Sequence, residues 1–288
     1  MKTIIAKAPT RVDITGGTLD LWPLYAFLGH AFTINMAVSI FTKAKIVPRS
    51  DSEVHFCISD SALKKKYPNL AACLNDGDED FALLRGHAAF WRPHLGFELE
   101  TSSESPIGGG LGGSSSLSIS ISTAFSHWLG RKMEPEALVR LVSNIEAQVL
   151  AVPTGTQDYY PPLYGGLNAL RYTLEGCKVE SLSWPEKLWE ESFLLVYTGK
   201  PHRSGLNNWQ VLKECIDGIG ETRFALEELR AVSDDLYRQL IKGHWEGLSE
   251  ALQRELSARL RLSTVFSSPE IERLKSVALR SGADAVKI

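Results

Sequence analysis

Cysteine is scarce in this chain of 288 residues: Cys57, Cys73, Cys177 and Cys215 stand far apart, and no Cys-x-x-Cys pair occurs. That spacing excludes a disulfide scaffold and a four-ligand zinc module, and the four are expected as reduced thiols. Nowhere do 18 apolar residues follow one another without charge, and the run from Met1 to Pro9 is too short and too polar for a secretion signal. A cytoplasmic protein with no membrane partner is expected. There is also little net charge. The 31 basic and 34 acidic residues leave −3, which gives no overall attraction to nucleic acid or anionic lipid. Any anionic ligand must be met by local positive potential.

What is present is the composition of an ordinary folded protein, with 44% hydrophobic residues, 23 Gly and 13 Pro. The length accommodates two domains, and a shift in composition near residue 180 divides them into 1–180 and 181–288. The first part alternates strand-like runs (3–6, 31–39, 42–48, 54–58, 97–101) with a helical pattern over 81–91. Further helices are expected over 114–129 and 134–150, and strands over 167–174 and 193–197. The rest reads as amphipathic helices over 206–230, 233–241, 245–262 and 268–281. The fold class is therefore α+β.

The most informative stretch is Pro106-Ile107-Gly108-Gly109-Gly110-Leu111-Gly112-Gly113-Ser114-Ser115-Ser116. Five of the six residues from Gly108 to Gly113 lack a side chain, so the backbone is able to take positive φ and approach a ligand closely. Amides at the start of the following helix, with its positive dipole end, suit a phosphate. A flexible linker is the plain alternative, but this stretch is framed by apolar segments. A Walker loop is excluded, because no lysine stands in the turn. The dinucleotide pattern is met formally by Gly108, Gly110 and Gly113. Its acidic residue about 20 positions on has no strand to end, since 129–135 reads as a turn between helices. Ser114 also suits a helix N-cap.

Two other segments gather polar chemistry. From Ala8 to Pro23, Arg11, Asp13 and Asp20 surround Gly16-Gly17-Thr18, groups able to hold sugar hydroxyls and phosphate oxygens or to form an incidental surface ion pair. From Glu146 to Asn168, Glu146 lies near a helix end and Asp158 in a Pro/Gly-rich turn. Two such carboxylates are able to complete a magnesium shell and orient an accepting hydroxyl; each alone is more ordinarily a solvated residue or a local cap. The basic turn Tyr197 to Gly205 offers a further phosphate dock or an exposed loop.

The run Pro-x-x-x-Gly-Leu-Gly-x-Ser-Ser, placed a third of the way along the chain between the other two segments, resembles the phosphate-binding motif of the GHMP kinases. The resemblance implies a two-domain fold, with an amino-terminal domain like domain 2 of ribosomal protein S5 and a ferredoxin-like carboxyl-terminal domain. It also implies an ATP- and Mg2+-dependent phosphotransferase acting on a hydroxyl of a small molecule. By that likeness Pro106, Gly108, Gly109, Gly110, Leu111, Gly112, Gly113, Ser114 and Ser115 would hold the nucleotide. Ser114 and Glu146 would meet the metal, Asp158 would act on the acceptor hydroxyl, and Arg11 would stand beside the transferring phosphoryl.

Asp13, Gly16, Gly17, Thr18, Asp20, Gln157, Tyr164, Arg203 and Ser204 would bind the substrate. Within the group, Gly-x-Gln-Asp-x-Tyr followed by Tyr-Gly-Gly-Leu-Asn looks like the heptose-7-phosphate kinases and fucose-type sugar kinases, which phosphorylate the anomeric hydroxyl. Gly17-Thr18 stands where galactokinases carry Glu-His. Other GHMP substrates, of the fucose, galactose or mevalonate type, remain alternatives. So does a catalytically silent sugar-binding or regulatory protein, since the family's third glycine-rich turn is not met before Ile288. The last residues read as the beginning of a strand, so a chain truncated ahead of that turn is expected, as a monomer or homodimer. A dinucleotide-dependent oxidoreductase on the Gly108 turn is the reading from another class.

Overall fold

The computed structural model describes residues 2–200, 204–262 and 266–288, with the backbone alone at 186 and 204–207. Element order is β1 (Ile4–Thr15), α1 (Leu24–Phe27), β2 (Ala31–Pro48), β3 (Val54–Ile58), β4 (Leu63–Tyr67), α2 (Leu70–Leu74), α3 (Ala82–Trp91), β5 (Phe97–Ser103), α4 (Gly113–Leu129) and α5 (Pro135–Leu150). There follow α6 (Pro161–Tyr164), β6 (Leu167–Thr173), β7 (Gly176–Leu182), α7 (Glu186–Ser192), α8 (Ser204–Asp217), α9 (Thr222–Leu240), α10 (Leu248–Leu262) and α11 (Pro269–Arg280). The architecture is mixed α and β, as expected. No described helix is long and apolar enough to cross a membrane.

Two compact units form, and they do not divide the chain at residue 180. One comprises 1–11 and 38–163, the other 12–37 and 164–288. The physical reason is the pairing of β2, an 18-residue strand. Its second half pairs antiparallel with β5 in the first unit, Ala44 facing Thr101, and its first half pairs antiparallel with β6 in the second, Ile34 facing Ala169.

In the first unit β4, β3, β5 and β2 lie in that order, with β3 and β5 parallel. Alternate residues Ile46, Phe56, Phe97 and Leu99 turn into a core with Leu84 and Trp91 of α3 and Ile121 and Phe125 of α4. Each large side chain so buried contributes about 1.5–3 kcal/mol. α4 also buries serines, at positions 115, 116, 118, 120 and 122. Ser116 bonds to the carbonyls of Ala8 at 3.2 Å and Pro9 at 2.8 Å, and both Ser116 and Ser120 reach the Thr42 hydroxyl. Small side chains with internal partners let the glycine loop's helix lie close against β1 and β2.

In the second unit β6 and β7 form a hairpin, and α9 buries Ala225, Leu226, Leu229, Val232 and Leu236 along one stripe. Three expectations fail here. The helices expected over 206–230 and 233–241 break instead at 218–221, where Gly218 and Gly220 take φ of +67° and +60°. Phe193–Tyr197 forms no strand, and these five residues are exposed. Residues 283–288 likewise form no strand. In the first unit β4 and α2, and in the second β7, were not foreseen; their sequences are too polar or too short for periodicity to reveal.

Candidate active site

The glycine loop is anchored from both ends. The Arg11 amide donates to the Leu111 carbonyl at 3.0 Å, and the Gly109 amide closes a turn on Pro106 at 3.0 Å. Gly108, Gly110 and Gly112 take φ of +67°, +77° and +65°. At Gly112 the positive φ favours glycine, and a Cβ there would lie 3.3 Å from Asp158 Oδ2, a tight contact. Gly112 precedes α4, and among the described residues no side chain caps that helix. Its first amides are therefore left for an acceptor from outside the helix.

Beside the loop stands Asp158. Arg11 Nε and Nη2 each lie 2.8 Å from Asp158 Oδ1, while Nη1 donates to the Gly110 carbonyl. The two side chains are 11% and 26% exposed. Glu146, on α5, is only 4% exposed. Ser114 Oγ donates to its Oε1, while Ser115 Oγ at 3.0 Å and the Tyr159 hydroxyl at 2.6 Å donate to Oε2. Burial pushes the Glu146 carboxyl above the usual range, against the pull of those three hydrogen bonds. Burial, then the neighbouring Glu146 charge, pushes the Tyr159 phenol up as well.

Among the described residues no Lys, Arg or His pairs with Glu146. A buried carboxylate met only by neutral donors is what a divalent cation completes. Glu146 with Ser114 forms a two-oxygen donor set, which suits magnesium sharing its other positions with phosphate oxygens and water. The residues present therefore fit a metal-bound nucleotide.

The second unit holds the Gly16–Asp20 turn. Gly16 takes φ of +84°, and a Cβ there would lie 2.0 Å from the Phe32 carbonyl oxygen. Thr18 takes φ of +80°, and its hydroxyl lies 3.5 Å from Asn208 Oδ1. Arg259, from α10, donates to the Gly17 carbonyl at 3.2 Å and lies 3.6 Å from Asp13 Oδ2. It also bonds Glu255, which is fully buried and accepts from Lys287 at 2.8 Å. Burial would raise the Glu255 carboxyl, but Arg259 and Lys287 hold it below the usual range. Asp20 is buried at 4% exposure.

Of the residues named from the sequence, Arg11, the loop 106–113, Ser114, Ser115, Glu146, Gln157 and Asp158 gather in the first unit. Gln157 is buried in the same turn as Asp158. Ser115 turns to Glu146 rather than outward. Asp13, Gly16, Gly17, Thr18 and Asp20 gather separately in the second unit, where Asp13 has internal cationic partners. Tyr164 is 40% exposed. Arg203 lies outside the described residues, as does the side chain of Ser204. Two residues were missed. Tyr159 is adjacent to Asp158 in a tyrosine pair that reads as packing, and Arg259 sits in an amphipathic helix pattern where a buried arginine leaves no local signal.

The first unit thus brings together an uncapped glycine-rich helix start, a buried carboxylate, a serine hydroxyl and an Arg–Asp pair, and residues 81–166 match the GHMP kinases N terminal domain. The chain shares its fold with solved kinases of small molecules. Along its length it is similar to a D-glycero-alpha-D-manno-heptose 7-phosphate kinase of Campylobacter jejuni subsp. jejuni, 26% identical over 98% of this chain and 85% of that one. The crystal structure of a D-glycero-D-manno-heptose 1-phosphate kinase from Bacteriodes thetaiotaomicron shares the fold, with TM-score 0.77 and 21% identity over 99% of this chain and 85% of that one. The mevalonate kinase of Methanococcus jannaschii does so with TM-score 0.74 and 20% identity, covering 99% and 86%.

Proposed function

We propose that this protein is an ATP- and Mg2+-dependent sugar kinase that phosphorylates the anomeric hydroxyl of a sugar phosphate, with D-glycero-D-manno-heptose 7-phosphate as the best candidate. The observation that carries the chemistry is the cluster of Glu146, Ser114, Asp158 and Arg11 around the glycine loop. The likeness to a heptose 7-phosphate kinase along 98% of the chain supports the substrate class.

In this reading the α4 amides and the glycine loop bind the nucleotide's phosphates, and Ser114 with Glu146 holds the cation. When bound, the cation neutralises charge on the phosphoryl oxygens. Asp158 orients the acceptor hydroxyl and takes its proton. Arg11, fixed by Asp158 and the Gly110 carbonyl, offers guanidinium N–H groups to charge developing on the transferred phosphoryl. Gly16, Gly17, Thr18 and Asp20 bind sugar hydroxyls, as do Gln157 and Tyr164. Asp13 supports that turn through Arg259, and Arg203 with Ser204 receives the phosphate already on the sugar.

The test is ADP release from ATP across a panel of free sugars, sugar phosphates and mevalonate. Release that depends on a heptose phosphate, with phosphate recovered at its anomeric position, is the expected result. Release with mevalonate alone would reassign the substrate. Nucleotide binding without release for any acceptor would favour a silent sugar-binding protein.

A further inference from the structure

Tyr159 is 1% exposed, yet its hydroxyl donates to the buried carboxylate of Glu146. We propose that Tyr159 is a positioning residue: its hydrogen bond to Oε2 of Glu146 aims the other carboxylate oxygen at the metal and fastens the Asp158 turn to the same carboxylate. The inference rests on the reading of Glu146 as a ligand of the nucleotide's magnesium.

The two oxygens of Glu146 are loaded unequally. Oε2 accepts from Tyr159 at 2.6 Å and from Ser115 at 3.0 Å, while Oε1 meets Ser114. Two donors on one oxygen set the rotation of the carboxylate. The oxygen left to the cation is then Oε1, beside the hydroxyl oxygen of Ser114. A phenol suits this task because its hydroxyl is fixed to a rigid ring, and burial of that ring fixes the hydroxyl in turn. Donation to an ionised carboxylate is a strong, directional hydrogen bond.

The same bond has a second consequence. Gln157, Asp158 and Tyr159 form one tight turn, closed by the Tyr159 amide on the Thr156 carbonyl at 3.2 Å. Asp158 therefore cannot shift far while Tyr159 stays bonded to Glu146. One hydroxyl couples the group that holds the cation to the group that meets the acceptor hydroxyl. A tyrosine present for packing alone would have no need of this contact, since phenylalanine would fill the same space.

The test is Tyr159→Phe, which keeps the ring and removes only the hydroxyl. Mn2+ is titrated into the protein in the presence of ADP and free Mn2+ is followed by electron paramagnetic resonance, a readout that needs no turnover. Loss of an outer hydrogen bond to a metal ligand lowers metal affinity by about 10–100-fold, and that range is expected here. In turnover, raised Mg2+ would restore part of the lost rate. Ser115→Ala, which removes the other donor to Oε2, is expected to give a smaller loss, and it supplies the same readout should Tyr159→Phe fail to fold. Wild-type Mn2+ affinity in Tyr159→Phe, or in Ser115→Ala if that variant must stand in, overturns the proposal when Glu146→Gln still loses the metal. Wild-type affinity in Glu146→Gln overturns the metal reading itself, and the proposal with it.

Discussion

The glycine-loop site and the Gly16–Asp20 turn both depend on ionised side chains, but they handle that charge differently. In the first unit Arg11 and Asp158 form a partly exposed pair, and Glu146 is buried with neutral donors alone among the described residues. In the second unit Arg259, Glu255, Asp13 and Lys287 neutralise one another internally, with Glu255 fully buried. The first arrangement leaves Glu146 without a charged partner among the described residues; the second uses its charges to fix a turn. Substitutions should therefore show up in rate for the first and in stability for the second.

The sharpest contrast is between Asp158 and Arg259. Asp158→Ala is expected to lower kcat by about 10²–10⁴, with thermal unfolding little changed. Unchanged turnover would remove Asp158 from the chemistry. Arg259→Met leaves Glu255 buried beside Lys287 alone and is expected to cost about 3–5 kcal/mol in denaturant unfolding. A loss below about 1 kcal/mol would show that the buried cluster does not hold the turn.

Glycine substitutions sharpen the same contrast. Gly16→Ala forces a Cβ to 2.0 Å from the Phe32 carbonyl oxygen at φ of +84°, and a loss on the order of 2–5 kcal/mol is expected from strain and crowding. Gly110 has positive φ but nothing within 4 Å of a built Cβ. Gly110→Ala should cost only about 1–2 kcal/mol in stability, while its effect on nucleotide KM is larger than its effect on unfolding.

Acid should separate the units more gently. His87 is buried in the first unit, 3.0 Å from Ser122 Oγ, and burial pushes its imidazole down to about 3. In the unfolded chain it titrates near 6.5. Its neutral form is the one folding accommodates, so the stability it allows is fully present above about pH 6.5 and is lost as pH falls toward 3, at up to about 1.4 kcal/mol per pH unit. His87→Gln is expected to flatten that slope in pH-dependent unfolding. An unaltered slope would show that the imidazole is not the group responsible.

Much of the first site was legible because its chemistry is local. A dense glycine run followed by serines declares a positive-φ loop and a helix start within eleven residues, and Glu146 and Asp158 lie on either side of one turn. Tyr159 was hidden for the opposite reason: one tyrosine of a pair reads as packing until its hydroxyl's partner is known. Arg259 was further out of reach, since it bonds the Gly17 carbonyl from 242 positions along the chain. The compact units do not follow the composition shift near residue 180, and β2 looks like two strands in sequence, 31–39 and 42–48. It forms one, serving both units with different halves. The run Phe193–Tyr197 has strand composition, yet composition alone supplies no neighbouring strand to pair with.

The claim on which the rest depends is that main-chain amides between Gly108 and Ser115 receive the nucleotide's phosphates. Glycine-selective 15N labelling, followed by titration with ADP and Mg2+, tests it most directly. The largest amide shifts are expected at Gly108, Gly110, Gly112 and Gly113, with Gly176, Gly243 and Gly282 unmoved. Saturable binding that leaves the loop glycines in place and moves others instead would contradict it.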